Sequence, residues 1–291
     1  MPCGRLCPLP TSFGSDPAFT VTAKFNPLQT VAVRPLSGGW SRRPYLTEVL
    51  VRQAAYNNAM WCDAVCSTYS GAGEFHPNCW LNRHGVPQYY PDLVTLTGME
   101  GVSAQTEALA TLLQQAPRDS GSVKDSFNCL DLQAFGFTQL FSAEWLWAAA
   151  LGTIGLKESE DVKWVRITDD ADLARWEQAW RLPANSGRIR TFRPNLLSRS
   201  AIQFVYGLVD DVPVGGGILF AAAGVTGVSN LFASQVAVDV VLQGLAKFAT
   251  VRFPGLPLVG YESGNDLAAA HQIGFRTVGH LRIWSRTGGK L

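Results

Sequence analysis

The chain has 291 residues, of which 47% are hydrophobic and 16% charged, with 24 Lys and Arg against 23 Asp and Glu for a formal net charge of +1. That composition describes a globular protein with enough length to bury a core, as one large domain or two ordinary ones, and it excludes a disordered chain. The charge balance gives no electrostatic steering toward nucleic acid or an anionic membrane. Six irregularly spaced cysteines are too sparse for a disulfide scaffold, and the opening MPCGRLCPLPTSFGSDP lacks the apolar region of a signal peptide, so the cytoplasm is the expected location.

Residues 1–44 are rich in Pro, Gly and Ser; 19–25 and 30–33 alternate like short strands. Residues 45–69 have helical periodicity. The stretch 70–88, with Phe75, His76, Cys79, Trp80 and His84, is predicted as a long irregular segment, a feature more often functional than idle. A strand is expected at 89–97, a helix at 103–115, a strand at 122–127, a short helix at 129–135, then Gly136-Phe137 and a strand over 138–147. Residues 151–161 read as a linker.

In the second half, 162–168 reads as a strand and Asp169 or Asp170 as the cap of a helix over 171–181. A loop with Arg188, Arg190, Arg193 and Arg199 follows; these arginines suit either a phosphate or a solvated surface. Strands are expected at 201–209, 216–222 and 227–232, and a helix at 234–250. No charged residue occurs from 212 to 238, but glycines, Pro213, Thr226, Ser229 and Asn230 interrupt the run, which fits two buried strands rather than a membrane span. The chain closes with an apolar strand at 256–261, a turn at Ser263-Gly264-Asn265, an alanine-rich helix over 266–273, Gly274-Phe275, and a strand ending near Trp284.

The order around Gly136-Phe137 is thus repeated around Gly274-Phe275, 138 residues later. At that offset Lys124-Asp125 falls on Glu262-Ser263, and 89–97 falls near the run 225–232. Residue identity between the copies is slight, so the repeat rests on element order and the shared Gly-Phe.

The ending, with Asn265, the Ala268–Ala270 run and Gly274-Phe275 in register, resembles that of the GNAT acetyltransferase superfamily. The resemblance covers about the last 130 residues well and the first half more loosely. It implies an α/β fold of two GNAT-like mixed-sheet halves, the acyl-CoA N-acyltransferase fold, with a degenerate N-terminal half. The expected divisions are an extension at 1–44, the degenerate half at 45–150, the linker at 151–161 and the second half at 162–291. It also implies acetyl-CoA or another acyl-CoA as donor, lying between the strands at 227–232 and 256–261, with Asn230, Leu231, Phe232, Ala233 and Asn265 as cofactor-binding residues. The family holds the pyrophosphate on a Gly-rich loop at a helix N-terminus. This chain reads Phe232-Ala-Ser-Gln-Val-Ala-Val-Asp239 there, with no Gly-x-Gly, and the first copy keeps only Gly98 and Gly101. The family's usual tyrosine acid is replaced by Ala270.

Glu262, at a strand end beside that gap, is the expected general base, with Tyr261 next to it as the second catalytic candidate; a helix N-terminal charge is the alternative role for Glu262. In the first half, Trp61, Asp63, Tyr89, Tyr90, Lys124, Asp125 and Asp131 form an aromatic and acidic set suited to a cationic or amine ligand or simply to core packing and caps. From it Trp61, Asp63, Tyr90 and Asp125 are the expected substrate-binding residues. Cys62, Cys66, Cys79, His76 and His84 contain zinc-ligand types without a CxxC or HxxxH knuckle, so no metal site is expected. Together these features point to transfer of an acyl group from acyl-CoA to a small amine, with no nucleic-acid or membrane partner. The alternatives are an aminoacyl-tRNA-dependent transferase, which the neutral charge disfavours, and a non-catalytic binding protein.

Overall fold

The computed structural model describes residues 42–116, 118, 120–149, 162–181 and 190–286; the expected strands at 19–25 and 30–33 and the linker at 151–161 lie outside them. Helix α1 (Arg42–Cys66) carries its small residues Ala54, Ala55, Ala59, Cys62 and Cys66 on a buried face. Small side chains let the helix axis approach a sheet closely, and α1 crosses the middle of one, packing on strands from both ends of the sequence.

That sheet has eleven strands. β1 (Glu74–Phe75), β2 (Cys79–Leu81), β3 (Leu93–Thr95), helix α2 (Val102–Gln115), β4 (Gly121–Asp125) and β5 (Thr138–Ala148) come from the first half. The second supplies β6 (Lys163–Arg166), α3 (Asp170–Trp180), β7 (Ile202–Val209), β8 (Val212–Ala222), β9 (Val225–Ala233), α4 (Val238–Arg252), β10 (Leu258–Glu262), α5 (Gly264–Gln272) and β11 (Arg276–Arg286). The spatial order is β1-β2-β3-β4-β11-β5-β10-β9-β8-β7-β6. Each half therefore lends its last strand to the other: β11 pairs with β4, and β5 pairs with β10.

The repeat seen in sequence is a repeat of structure. The bounds of β5, moved by 138 residues, are those of β11. In the ladder joining them Thr138 faces Ser285 and Trp147 faces Arg276, pairs that the same offset interchanges, so a local two-fold axis passes at Ala143–Leu281. Both Gly-Phe steps have one physical cause. Gly136 (φ 76°) and Gly274 (φ 107°) leave a helical turn in the left-handed region. In each, the glycine N–H bonds three residues back and the phenylalanine N–H five back, to Leu132 at 3.2 Å and to Ala270 at 3.1 Å, a Schellman ending that buries Phe137 and Phe275.

Three expectations change, and that of two strands over 212–238 is met. The stretch 70–88 contains the β1–β2 hairpin, so it is less irregular than its composition suggests. The expected strand at 89–97 shrinks to Leu93–Thr95, because Tyr89 has φ 74° and Pro91 has no N–H to donate. The expected helix at 129–135 is only a 3-10 turn over Gln133–Phe135. In its place the Asp125 carboxylate accepts the N–H groups of Cys129 and Leu130. The charge-free run becomes a hairpin of β8 and β9 around Ala223-Gly224, both at positive φ, as two-residue hairpins prefer. No helix among the described residues is long and apolar enough to cross a membrane.

Candidate active site in the split between β9 and β10

β9 and β10 run parallel for two pairs, Leu258–Thr226 and Val259–Gly227, and then part. β9 is deflected by a bulge: Gly216 faces Phe232 and Ile218 faces Ser229, leaving the step at Asn230 and Leu231 against one partner residue. Asn230 adopts φ 53°, which asparagine tolerates better than most residues. A cleft of about 530 Å³ opens there, walled by Val228–Leu231 of β9, Tyr261 and Glu262 of β10, Asn58, Trp61 and Cys62 of α1, and Asp266 of α5. The first half closes it with Tyr89, Tyr90, Ser122 and Lys124, and β5 and β11 add Leu140, Phe141 and Ile283.

Glu262 is half-buried, and no hydrogen bond or ion pair among the described residues engages its carboxylate. Loss of water around it, reinforced by the Asp266 carboxylate, pushes its pKa from 4.5 up to about 8. Tyr261 lies edge-on to Trp145, with ring centroids 5.4 Å apart, and its hydroxyl accepts a hydrogen bond from Lys124 Nζ at 3.1 Å. Lys124 Nζ also donates to Asn58 Oδ1 at 2.8 Å and sits 4.3 Å from the Tyr261 ring centroid. Cys62 lines the same wall, but burial pushes its thiol up to about 11, which makes it a poor nucleophile.

Of the residues expected from sequence, the structure brings Trp61, Tyr90, Asn230, Leu231, Tyr261 and Glu262 to this cleft. Phe232 instead packs edge-on to Trp176 at 5.5 Å, and Ala233 pairs with Gly215 in the sheet. Asn265 is exposed on α5 and does not line the cleft. Asp63 accepts hydrogen bonds from Gly73 N–H and Trp80 Nε1, away from the cleft. Asp125 is fully buried, capping the turn after β4 and pairing with Arg282 at 3.4 Å. An acidic wall for a cationic ligand therefore does not form from the first half; its side chains are occupied in holding turns.

Lys124 and Asn58 take that place. Sequence reading grouped Lys124 with the acidic set without singling it out, and Asn58 was missed. The available signal was the repeat, which sets Lys124 on the base candidate Glu262. Of the arginines that suited either a phosphate or a solvated surface, Arg188 lies outside the described residues, Arg190 pairs with Asp170, Arg193 covers the Tyr69 ring and Arg199 bonds Ala64 O and Ser67 Oγ. Among the described residues no three His, Cys, Asp or Glu side chains are grouped to hold a metal.

The α4 N-terminus differs from an anion cradle. Ala237 is its N-cap and supplies no side-chain bond, and the Asp239 carboxylate accepts the Val240 N–H at 2.9 Å. A pyrophosphate would meet that carboxylate beside the N–H groups of the first turn.

No family model matches the sequence, and no curated protein does. The fold, however, is similar to that of a GCN5-related N-acetyltransferase from Kribbella flavida, with a TM-score of 0.54 at 15% identity over 82% of this chain and 97% of that one. A protein described as an acetyltransferase of the GNAT family from Novosphingobium aromaticivorans gives a TM-score of 0.52 at 11% identity, over 83% and 99% of the two chains. Those spans exceed either half, so the chain has the GNAT α/β fold across both.

Proposed function

We propose that the protein is an N-acyltransferase that moves an acyl group from acetyl-CoA or another acyl-CoA to an amine-bearing small molecule. The observation that carries this reading is the β9–β10 split, which opens onto Glu262 with its raised pKa. Past Val259 and Gly227 the facing strand edges are free of one another, which fits an extended pantetheine arm bonded to backbone along Ser229–Leu231. An acyl thioester bound there supplies the acyl carbon: a C–N bond forms as the C–S bond breaks and CoA leaves as its thiol. Glu262 takes the proton from the attacking amine, a task its pKa near 8 suits at neutral to mildly alkaline pH. Asp266 adds negative potential at the same end and holds the amine before it is deprotonated. Tyr261 accepts from Lys124 and keeps its own O–H, which we assign to the departing sulfur.

In this reading residues 162–291 are the donor-binding half, residues 45–150 the degenerate half that shapes the acceptor pocket, and 151–161 their linker. The cytoplasm is the location we assign, with neither membrane nor nucleic acid as partner. The Asp239 carboxylate at the α4 N-terminus makes donor binding weak, and it favours one second reading, a binding protein without catalysis. Titration with acetyl-CoA followed by mass spectrometry of an amine panel tests both. Acetylated amine supports the first reading; binding of an amine with no turnover at millimolar acetyl-CoA supports the second.

A further inference from the structure

Among the described residues, Lys124 is a buried amine with no ion-pair partner. It is 5% exposed, and among the described residues its ammonium meets only neutral groups, the Asn58 carbonyl, the Tyr261 hydroxyl and the Tyr261 ring. Such a group is costly to bury unless something completes it, because desolvation of an ammonium far exceeds what two neutral acceptors return. A second buried polar group belongs to the same wall. Tyr90 is 6% exposed, and among the described residues its hydroxyl has no hydrogen-bond partner that meets bonding geometry. Both residues line the cleft, on the wall supplied by the first half. Glu262 and Asp266 sit on the wall supplied by the second, and Lys124 is not among the charges acting on Glu262. The cleft therefore carries a cation and a hydroxyl on the wall from the first half and two carboxylates on the wall from the second. Leu140 and Phe141 also line the cleft while remaining exposed.

We infer that Lys124 and Tyr90 form a carboxylate subsite, and that the acceptor is an amino carboxylate with an apolar side chain. The carboxylate accepts from Lys124 Nζ and the Tyr90 hydroxyl while the amine lies toward Glu262. The amine's fate rests on the acyl-transfer reading; the carboxylate subsite does not.

The test uses the full chain and three matched probes: phenylalanine, its decarboxylated amine phenethylamine, and its deaminated acid 3-phenylpropanoate. Calorimetry without donor is expected to show both carboxylates binding at least tenfold more tightly than phenethylamine, since a charge-assisted contact is worth about that factor or more. Lys124→Met removes the preference and leaves phenethylamine binding unchanged. Tyr90→Phe, which deletes only an unpartnered hydroxyl and so is expected to fold as the parent does, weakens the two carboxylates by roughly tenfold. Equal weakening of all three probes would mean that Lys124 and Tyr90 only brace the cleft, and it overturns the inference. So does the absence of any preference, or of binding by all three at millimolar concentration. Adding acetyl-CoA separates the two readings. Carboxylate binding without N-acetylphenylalanine leaves the subsite standing and removes acyl transfer. Equal kcat/KM for phenylalanine and phenethylamine does the reverse.

Discussion

The two halves carry the same parallel strand pair and treat it in opposite ways. β3 and β4 are joined by two pairs, as are β9 and β10. Beyond its pairs the first half is stitched shut: Ser126 N–H donates to Thr95 Oγ1 at 2.8 Å, Trp145 Nε1 bonds Ser126 O at 2.8 Å, and Gln105 Nε2 bonds Thr97 O at 2.7 Å. Thr95 and Ser126 are fully buried. No such hydrogen bond among the described residues joins β9 to β10 past Val259, and the second gap stays open onto the cleft. One topology thus yields a wall or a binding slot according to a few polar side chains, and the closed half is free to serve as the far side of the open one.

The sharpest way to break this comparison is at the open end. Glu262→Gln is expected to lower kcat/KM for acyl transfer by about a hundredfold or more while the thermal midpoint at pH 4, where both side chains are uncharged in the fold, changes little. The parent's kcat/KM should rise with an apparent pKa near 8, and the variant should lose that limb. Stability carries the same signature with a definite sign. The folded protein keeps the Glu262 proton between pH 4.5 and about 8 while the unfolded chain has released it, so ν_N exceeds ν_U and stability falls as pH rises through that window. Above it, the uncharged glutamine variant should melt higher relative to the parent than it does at pH 4. An unchanged difference across that range would mean that Glu262 is an ordinary solvated carboxylate.

Filling the open gap should mimic the closed half. A Cβ at Gly260 would lie 3.1 Å from Val228 O, across the split, so Gly260→Val narrows the slot where the donor arm runs. Donor affinity is expected to fall at least tenfold in calorimetry, with a modest stability cost from crowding. Loosening the closed gap is the converse. Thr95→Val keeps the shape and removes the acceptor of Ser126 N–H, leaving a buried donor unpaired at a cost of roughly 1–3 kcal/mol in denaturant unfolding. A loss well below 1 kcal/mol would show that water or another group replaces Thr95, and that the stitch does not hold the gap shut.

Much of this difference escapes the sequence for a physical reason. Periodicity and Gly-Phe spacing report backbone, and they placed the repeat at an offset that β5 and β11 reproduce residue for residue. Glu262, Tyr261, Asn230 and Leu231 could be placed beside one gap because they sit on strands fixed by that backbone. The roles of Asp63 and Asp125 were not, since a carboxylate that caps a turn and one that faces a ligand read alike until their N–H partners are placed. Lys124 was hidden for the complementary reason. Its meaning comes from Asn58 on α1 and Tyr261 on β10, which are remote in sequence and meet only after the strand exchange is made.

The smallest expected effect concerns the two helix N-termini that follow the parallel strands, where both halves use a carboxylate of their own. In the first, Glu100 Oε1 accepts Gly98 N–H at 3.3 Å and pairs with Arg52. In the second, Asp239 accepts Val240 N–H with no ion pair among the described residues. The first is thus neutralised by a cation from α1, whereas the second presents a net negative charge where a CoA pyrophosphate would approach. Asp239→Asn keeps an oxygen acceptor for Val240 and removes the charge, so donor affinity should rise about two- to fivefold, the scale of one charge at a helix end. The gain should shrink as salt is raised from about 0.01 to 0.15 M, because the Debye length contracts from roughly 30 to 8 Å. Calorimetric titration with acetyl-CoA at both salt concentrations reads this directly, and dephosphopantetheine, which lacks the pyrophosphate, should show no gain. An equal gain for both ligands would place the Asp239 effect in helix stability and leave the pyrophosphate elsewhere.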